Sequence, residues 1–481
     1  MSHLHIFLIP MVAHGHMIPT LDMAKLFVSR GVKTTIISTP AFAQPIRTAQ
    51  TSGFDINLEI IDFPPKNSEL PNDIVSMDQV TSDDLVHDFF HALDLLQEPL
   101  ENLIRELNPS CLVSDMFLPW TTGCAAKFKI PRLVFHGISY LSLCCMEIMS
   151  RDRPFDKVSS ASEEFVVPHL PHELKFVRTQ VSDHLLEDNE ISRVMKRMRD
   201  SDWESYGVVV NSFYELEPEY ASYYKGVLGR KAWNIGPLIL HNRGDRVHNE
   251  AKKGNKSSID AHECLGWLDT KKPNSVVYVC FGSMAEFSRS QLHEIAYGLE
   301  TSGHDFIWVV RTKGDENDGD LFPEGFIERT RGKGLVIRGW APQVAVLQHE
   351  ATGAFVTHCG WNSMLEGVCA GVPMVTWPLF AEQFFNEKLV TEVLRVGVSV
   401  GNMTWQRVGS EGVKRGALAR AVGIVMEGDQ LGLEMRNRVK CYKDLAIKAV
   451  EEGGSSYNGM ATLIQDLSTY SCPVKGVTCA S

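Results

Sequence analysis

Two histidines, His14 and His16, follow the apolar run His5–Ile9 in the segment PMVAHGHMIPTLDMAKLFVSRG. Imidazole is the side chain best suited to moving a proton near neutrality. In an open α/β sheet the loops beyond the strands' carboxyl ends line the ligand crevice. A tight loop there, before a helix with Pro19 in its first turn and Gly31 at its end, puts both rings within reach of a substrate; two solvated loop histidines are the plain alternative. Asp115 closes another apolar run, CLVSD. A carboxylate so placed can orient a histidine and balance its charge, or can cap the following helix.

In the second half, AFVT leads into His358-Cys359-Gly360 and then WNSMLEGVCAG. The small Gly360 lets backbone N–H groups approach a ligand, and a helix opening near Asn362 and Ser363 aims its N-terminal donors at an anion. His358, Asn362 and Ser363 read together as a diphosphate cradle, although Asn and Ser at a helix start are also ordinary caps. Gly282-Ser283, after the run Ser275–Phe281, is a weaker repeat of that geometry. Trp340 suits stacking on a base or filling a core. Glu366 suits ribose hydroxyls and Glu382-Gln383 suits sugar hydroxyls, unless these carboxylates are merely solvated. No GxGxxG follows a strand and no GxxxxGK[ST] occurs, so neither a dinucleotide fingerprint nor a P-loop accounts for the cradle.

These residues hang on two series of short apolar runs that alternate with helical patterns, the signal for parallel sheets covered on both faces. The first comprises His5–Ile9, Val32–Ser38, Cys111–Ser114, Arg132–His136 and Gly207–Asn211, and the second Ser275–Phe281, Phe306–Val310, Leu335–Arg338, Ala354–Thr357 and Met374–Trp377. The polar stretch 241–263 between them reads as a linker, so two α/β domains, 1–240 and 264–455, face each other across a cleft. The tail 456–481 has helical spacing at Met460, Leu463, Ile464 and Leu467.

Composition bounds the function classes. The chain has 481 residues, 44% hydrophobic, with 47 Lys+Arg against 59 Asp+Glu and a net charge of −12, which disfavours nucleic acid or an anionic membrane as partner. The 11 cysteines show no CxxC pair at metal spacing, which fits reduced thiols in the cytosol. The N-terminal apolar run lacks a cationic flank and an A-x-A site, and no stretch reaches the roughly 18 apolar residues of a membrane span. A cytoplasmic monomer is the expectation.

Trp340–Gln383 resembles the 44-residue signature of plant secondary-product glycosyltransferases, the UDP-sugar-dependent family 1 enzymes. WAPQ, H-x-A-x-G, F-x-THCGWNS, LEG, GVPM, WP and EQ all stand in place, and AHGHMIP, D-x-F-x-PW, FGS and FIWVVR extend the likeness over the whole chain, closest to the group D branch. Met364 and His14 are mild departures. The resemblance implies the GT-B fold, two Rossmann-like domains with the acceptor bound by the N-terminal one, the nucleotide sugar by the C-terminal one, and the tail crossing back to the first. Trp340 would stack on uracil, with Ala341 beside it in the donor set and Gln343 and Glu366 at the uridine ribose. His358, Asn362, Ser363 and Ser283, with Gly360, would bind the diphosphate, and Trp361, Glu382 and Gln383 would face the sugar, a pattern associated with glucose. His16, of the Gly15-His16 pair, would be the general base and Asp115 its partner, for inverting transfer from UDP-glucose without metal or other cofactor.

The acceptor is then an apolar hydroxylated plant molecule, a flavonoid or other phenolic, a triterpenoid or a steroid. It would lie against Met77–Asp84, Phe89–His91, Gly137–Cys145 and Val181–Glu190, whose Phe, Leu, Met and His content suits a flat or polycyclic aglycone. A UDP-sugar-binding protein without turnover would keep the cradle and lack the base; a doubled-Rossmann dehydrogenase would need the absent glycine fingerprint.

Overall fold

A computed structural model describes residues 4–80, 82–242, 258–311, 321–406 and 411–470. Fifteen strands are described: β1 His5–Ile9, β2 Lys33–Ser38, β3 Ile56–Ile60, β4 Cys111–Asp115, β5 Arg132–Phe135, β6 Glu164–Val166, β7 Lys175–Val177, β8 Gly207–Val210, β9 Ala232–Asn234, β10 Val276–Cys280, β11 Asp305–Val310, β12 Gly334–Arg338, β13 Thr352–Thr357, β14 Met374–Thr376 and β15 Gly397–Ser399. They form a seven-stranded sheet ordered β3-β2-β1-β4-β5-β8-β9, a six-stranded sheet ordered β12-β11-β10-β13-β14-β15, and the small pair β6-β7. Every pairing within the two large sheets is parallel.

All ten apolar runs are strands, with ends shifted by a residue or two. The sequence reading missed β3, β9 and β15, three of the four edge strands, and the antiparallel pair; the fourth edge, β12, is GLVIR and apolar enough to be found. β3 carries Asn57 and Glu59 and is only partly covered, while β9 and β15 have three residues each. An apolar-run criterion detects strands buried on both faces and passes over short or half-covered edges.

Strand order reverses between β1 and β4 in the first sheet and between β10 and β13 in the second. Adjacent connections there leave in opposite directions and open a crevice at the carboxyl ends. Ile9 pairs with Ser114, and Cys280 with Thr357, so the residues just beyond these ends are brought side by side in each sheet.

The helix Ala261–Asp269, capped by Asp260 accepting from the Glu263 N–H at 2.7 Å, opens inside the stretch read as linker; residues 243–257 of that stretch lie outside the described residues. The helix Ser455–Ser468 buries Met460, Leu463 and Leu467 in the core of the first sheet. Trp233 on β9 donates to Asp466 at 3.2 Å. Residues 471–481 of the tail lie outside the described residues. No helix among the described residues is long and apolar enough to cross a membrane.

Candidate active site

The two crevices face each other. His14 and His16 do not sit in a loop: both belong to the first turn of the helix His14–Ser29, and Pro19 is its sixth residue instead of a first-turn residue. A proline inside a helix has no N–H for the carbonyl four residues back. That carbonyl is Gly15, and it accepts instead from Asn362 Nδ2 of the opposite domain at 2.8 Å. The local defect thus couples the histidine turn to the His358 turn.

His16 Nδ1 lies 2.6 Å from Asp115 Oδ2. A carboxylate only accepts, so Nδ1 carries the proton and Nε2 keeps a lone pair. The Asp115 side chain is 1% exposed against 27% for His16. Asp115 Oδ1 also accepts from the Phe117 N–H at 3.0 Å, which shapes the turn after β4; the following helix Thr121–Phe128 has Trp120 as its N-cap and no side-chain cap, so Asp115 orients the histidine and does not cap that helix. Burial opposes protonation of His16, but the charge and hydrogen bond of Asp115, with the charges of Asp78 and Glu382, outweigh it and raise its pKa. Arg132, fully enclosed beneath the dyad, donates to the Asp115 carbonyl at 3.2 Å and to Ser114 Oγ at 2.7 Å.

His14 is paired elsewhere, its Nδ1 2.6 Å and its backbone N–H 3.1 Å from Asp78 Oδ2. Asp78 was not singled out from the sequence, because a lone carboxylate in a polar loop has no spacing to mark it. Beside His16 stands Phe117, whose ring is edge-on at 5.6 Å; with the partly buried Phe90 and Met146 it packs against the buried Met116 and Met198. Within the expected acceptor segment Gly137–Cys145, Tyr140, Leu141, Cys144 and Cys145 are fully buried core and cannot line a pocket. Helix periodicity turned them inward.

Across the cleft, His358 projects from the turn after β13 between two glycines. A Cβ on Gly282, which has φ +75°, would fall 2.7 Å from the ring, and one on Gly360 2.4 Å from Nε2. Burial pushes the His358 pKa down to about 4, so the ring is neutral at pH 7. Its Nδ1 is buried with no hydrogen-bond partner among the described residues. Cys359 holds a left-handed φ of 67°. Such a conformation costs about 1–3 kcal/mol and persists only where surroundings impose it. Here Thr357 Oγ1 accepts from the Cys359 N–H at 3.3 Å and Asn386 Nδ2 donates to its carbonyl at 2.9 Å. Asn386, also missed in the sequence, accepts from Ser139 and Ser142 of the first domain at 3.0 and 2.9 Å.

The helix Trp361–Ala370 has Gly360, not Asn362 or Ser363, as its N-cap, and no side chain caps it. An N-terminus left open by its N-cap residue suits an anion, and one of its first N–H groups, that of Trp361, bonds the Glu382 carboxyl. Gln343 Nε2 donates to Ser363 Oγ at 3.0 Å and to Glu366 Oε2 at 2.6 Å, bringing these three together. Trp340 and the buried Ala341 follow β12 on the adjoining loop, Trp340 half-buried. Trp361 is 2% exposed and donates its indole N–H to the Asn211 carbonyl at 2.8 Å, so its ring packs in the core and not in the cleft. Gln383 Oε1 accepts from the Leu379 and Phe380 N–H groups at 2.8 and 3.1 Å, shaping the loop that carries Glu382. Burial raises the Glu382 pKa, and Asn386 donates to its Oε1 at 3.2 Å. Ser283 Oγ donates to Asp78 Oδ1 at 3.0 Å, a second bridge across the cleft. No group of three or more His, Cys, Asp and Glu among the described residues is placed to hold a metal ion.

The family model "UDP-glucoronosyl and UDP-glucosyl transferase" matches residues 6–415. The chain belongs to this UDP-glycosyltransferase family. A scopoletin glucosyltransferase of Nicotiana tabacum is 58% identical over 98% of this chain and 99% of its own length. An anthocyanin 3'-O-beta-glucosyltransferase of Gentiana triflora is 52% identical over 98% and 99%. Among solved structures, Glycyrrhiza uralensis UGT73P12 complexed with glycyrrhetinic acid 3-O-monoglucuronide superposes with a TM-score of 0.89 at 40% identity, covering 97% of this chain and 96% of that one. The two parallel-sheet domains of this UDP-glycosyltransferase are the GT-B fold, and its family draws on UDP-sugars as donors.

Proposed function

We propose that this UDP-glycosyltransferase is an inverting O-glucosyltransferase that moves glucose from UDP-glucose to a hydroxyl of an apolar plant aglycone. The single observation that carries the reading is the His16–Asp115 pair at 2.6 Å, on a turn tied through Gly15 to Asn362 beside the uncapped helix N-terminus. In this reading residues 1–240 take the acceptor and 264–455 the donor, linked by 241–263, with 456–481 returning to the first domain. The enzyme acts as a cytosolic monomer.

His16 Nε2 takes the acceptor's hydroxyl proton as that oxygen bonds to the anomeric carbon from the face opposite UDP. The carbon–oxygen bond to the diphosphate breaks and its electron pair leaves with UDP, so an α-linked donor gives a β-glucoside. The proton ends on His16, whose imidazolium Asp115 balances. Charge growing on the diphosphate is met by His358, Asn362, Ser363, Ser283 and the helix N-terminus. Trp340 and Ala341 hold the uracil, Gln343 and Glu366 the ribose, and Glu382, which the Trp361 backbone N–H steadies, with Gln383 the sugar. A general base contributes roughly 10²–10⁴-fold, and UDP leaves well without a metal.

The names of the relatives and solved neighbours support an acceptor panel of scopoletin, an anthocyanin, quercetin and glycyrrhetinic acid 3-O-monoglucuronide. Purified protein with UDP-glucose and EDTA is expected to add one hexose to at least one of them by mass spectrometry. Binding of UDP without product from UDP-glucose or any other UDP-sugar would favour a binding protein without turnover; product only from another UDP-sugar would overturn the glucose assignment.

Asp115→Asn tests the dyad. An amide there donates to Nδ1, moves the ring proton to Nε2 and removes the base, so activity is expected to fall by about 10²-fold or more. The sign of the pH effect follows from the raised His16 pKa. In the wild type kcat/KM climbs as pH rises through that pKa, because only the neutral ring is a base. Without the Asp115 charge the residual activity begins its climb at lower pH. An unmoved limb would dissociate Asp115 from His16.

A further inference from the structure

The Ser283 hydroxyl has one proton. In the structure it goes to Asp78 Oδ1 at 3.0 Å, across the cleft. Asp78 stands on the single turn Met77–Gln79, and this turn is strapped to the histidine turn by the Met77 N–H donating to the Val12 carbonyl at 2.9 Å. The other carboxylate oxygen, Oδ2, accepts from the His14 backbone N–H at 3.1 Å, the His14 ring at 2.6 Å and the Ser76 hydroxyl at 2.8 Å. These donors leave the Asp78 side chain 10% exposed and fix its Oδ1 toward the second domain. Ser283 is held from its own side by Arg311, whose guanidinium donates to the Ser283 carbonyl. Both partners of the bridge are therefore positioned independently of it.

We propose that Asp78 is a positioning residue that competes with the diphosphate for the Ser283 hydroxyl and thereby weakens the hold on UDP, the product that must leave after transfer. The proposal rests on the reading of Ser283 as a diphosphate donor. One proton cannot serve two acceptors, so each UDP that takes it breaks the bridge to Asp78, and each UDP that leaves restores it. The contest is between anions: burial raises the Asp78 pKa, but hydrogen bonds from His14 and Ser76 more than offset this and hold it well below the usual carboxylate range. A charged acceptor makes a hydrogen bond roughly twice as strong as a neutral one, so the carboxylate holds the proton firmly against the diphosphate. His14, the extra histidine of the sequence, gains a role as the side chain that aims this carboxylate.

Asp78→Asn keeps the shape and removes the charge. UDP titrated calorimetrically is expected to bind about tenfold more tightly to the variant than to the wild type, the scale of exchanging a charged for a neutral acceptor. UDP is expected to inhibit turnover at correspondingly lower concentration. A residue needed only for folding would lose affinity, not gain it. In a Ser283→Ala background the same change is expected to leave UDP affinity unaltered, because the contested hydroxyl is gone.

Unchanged or weaker UDP binding by Asp78→Asn with an intact circular-dichroism spectrum overturns the proposal. Equal tightening in the Ser283→Ala background overturns it too, since the carboxylate would then act without the serine. If Asp78→Asn does not fold, Asp78→Ala is carried through the same cycle with the same expectations. Ser283→Ala added to Asp78→Asn with no loss of UDP affinity would refute instead the assignment of Ser283 to the diphosphate, and absence of turnover by the wild type would refute the transferase reading. The outcomes are thus separable.

Discussion

His16→Ala is expected to lower glucosyl transfer about 10²–10⁴-fold while leaving UDP binding nearly intact. The asymmetry follows from where the ring sits. His16 belongs to the helix opening beyond β1, in the first domain, with Nδ1 committed to Asp115 at 2.6 Å and Nε2 as the basic nitrogen. The contact its turn makes with the second domain runs through the Gly15 carbonyl, which the substitution does not touch. Asp115 keeps the Phe117 N–H as a partner, so the loss falls on chemistry more than on stability. Initial rates with UDP-glucose, alongside calorimetric titration of UDP, separate the two effects. Undiminished turnover would remove His16 from the mechanism and direct attention to His14, the histidine held by Asp78.

His358→Ala is expected to cost about 10²–10³-fold in turnover, the scale for one donor lost from a site that stabilises departing charge. This ring is neutral at pH 7, because burial pushes its pKa down to about 4. It therefore meets the diphosphate as an N–H donor and not as a cation. The fractional loss should accordingly stay constant over about pH 6–8, a range through which an ordinary histidine titrates. The donor's aim depends on the glycines either side of it, and Gly282→Ala, which sets a Cβ 2.7 Å from the ring on a backbone with φ +75°, is expected to reproduce the loss with the imidazole still present. Steady-state kinetics across pH for both variants provide the check; full activity in either would place the stabilising donors elsewhere in the turn.

The buried Asn386 shows why such a site resists piecemeal reading. It supports the strained Cys359 carbonyl, donates to Glu382 and receives two serine hydroxyls from the other domain. Nothing in its sequence neighbourhood, QFFNEK, distinguishes it from a solvated helix residue. The same holds for Asp78 and Arg132, whose partners are distant in the chain. Conversely Asn362, read locally as a cap, is excused from that task by Gly360 and spends its amide on the opposite domain.

The sequence by itself determined the two parallel sheets, because strands covered on both faces must be apolar throughout, and it marked candidate residues at their ends in the Gly15-His16 pair, CLVSD and the 44 residues from Trp340 to Gln383. Tertiary structure alone decided which groups meet. The pairing of His16 with Asp115 and of His14 with Asp78, the neutrality of His358, and the clasp of Asn362 on a carbonyl freed by Pro19 all depend on separations of tens to hundreds of residues closing to hydrogen-bond distance. Burial and charge at those meeting points set protonation and direction, and neither is a property of a residue in its own stretch of chain.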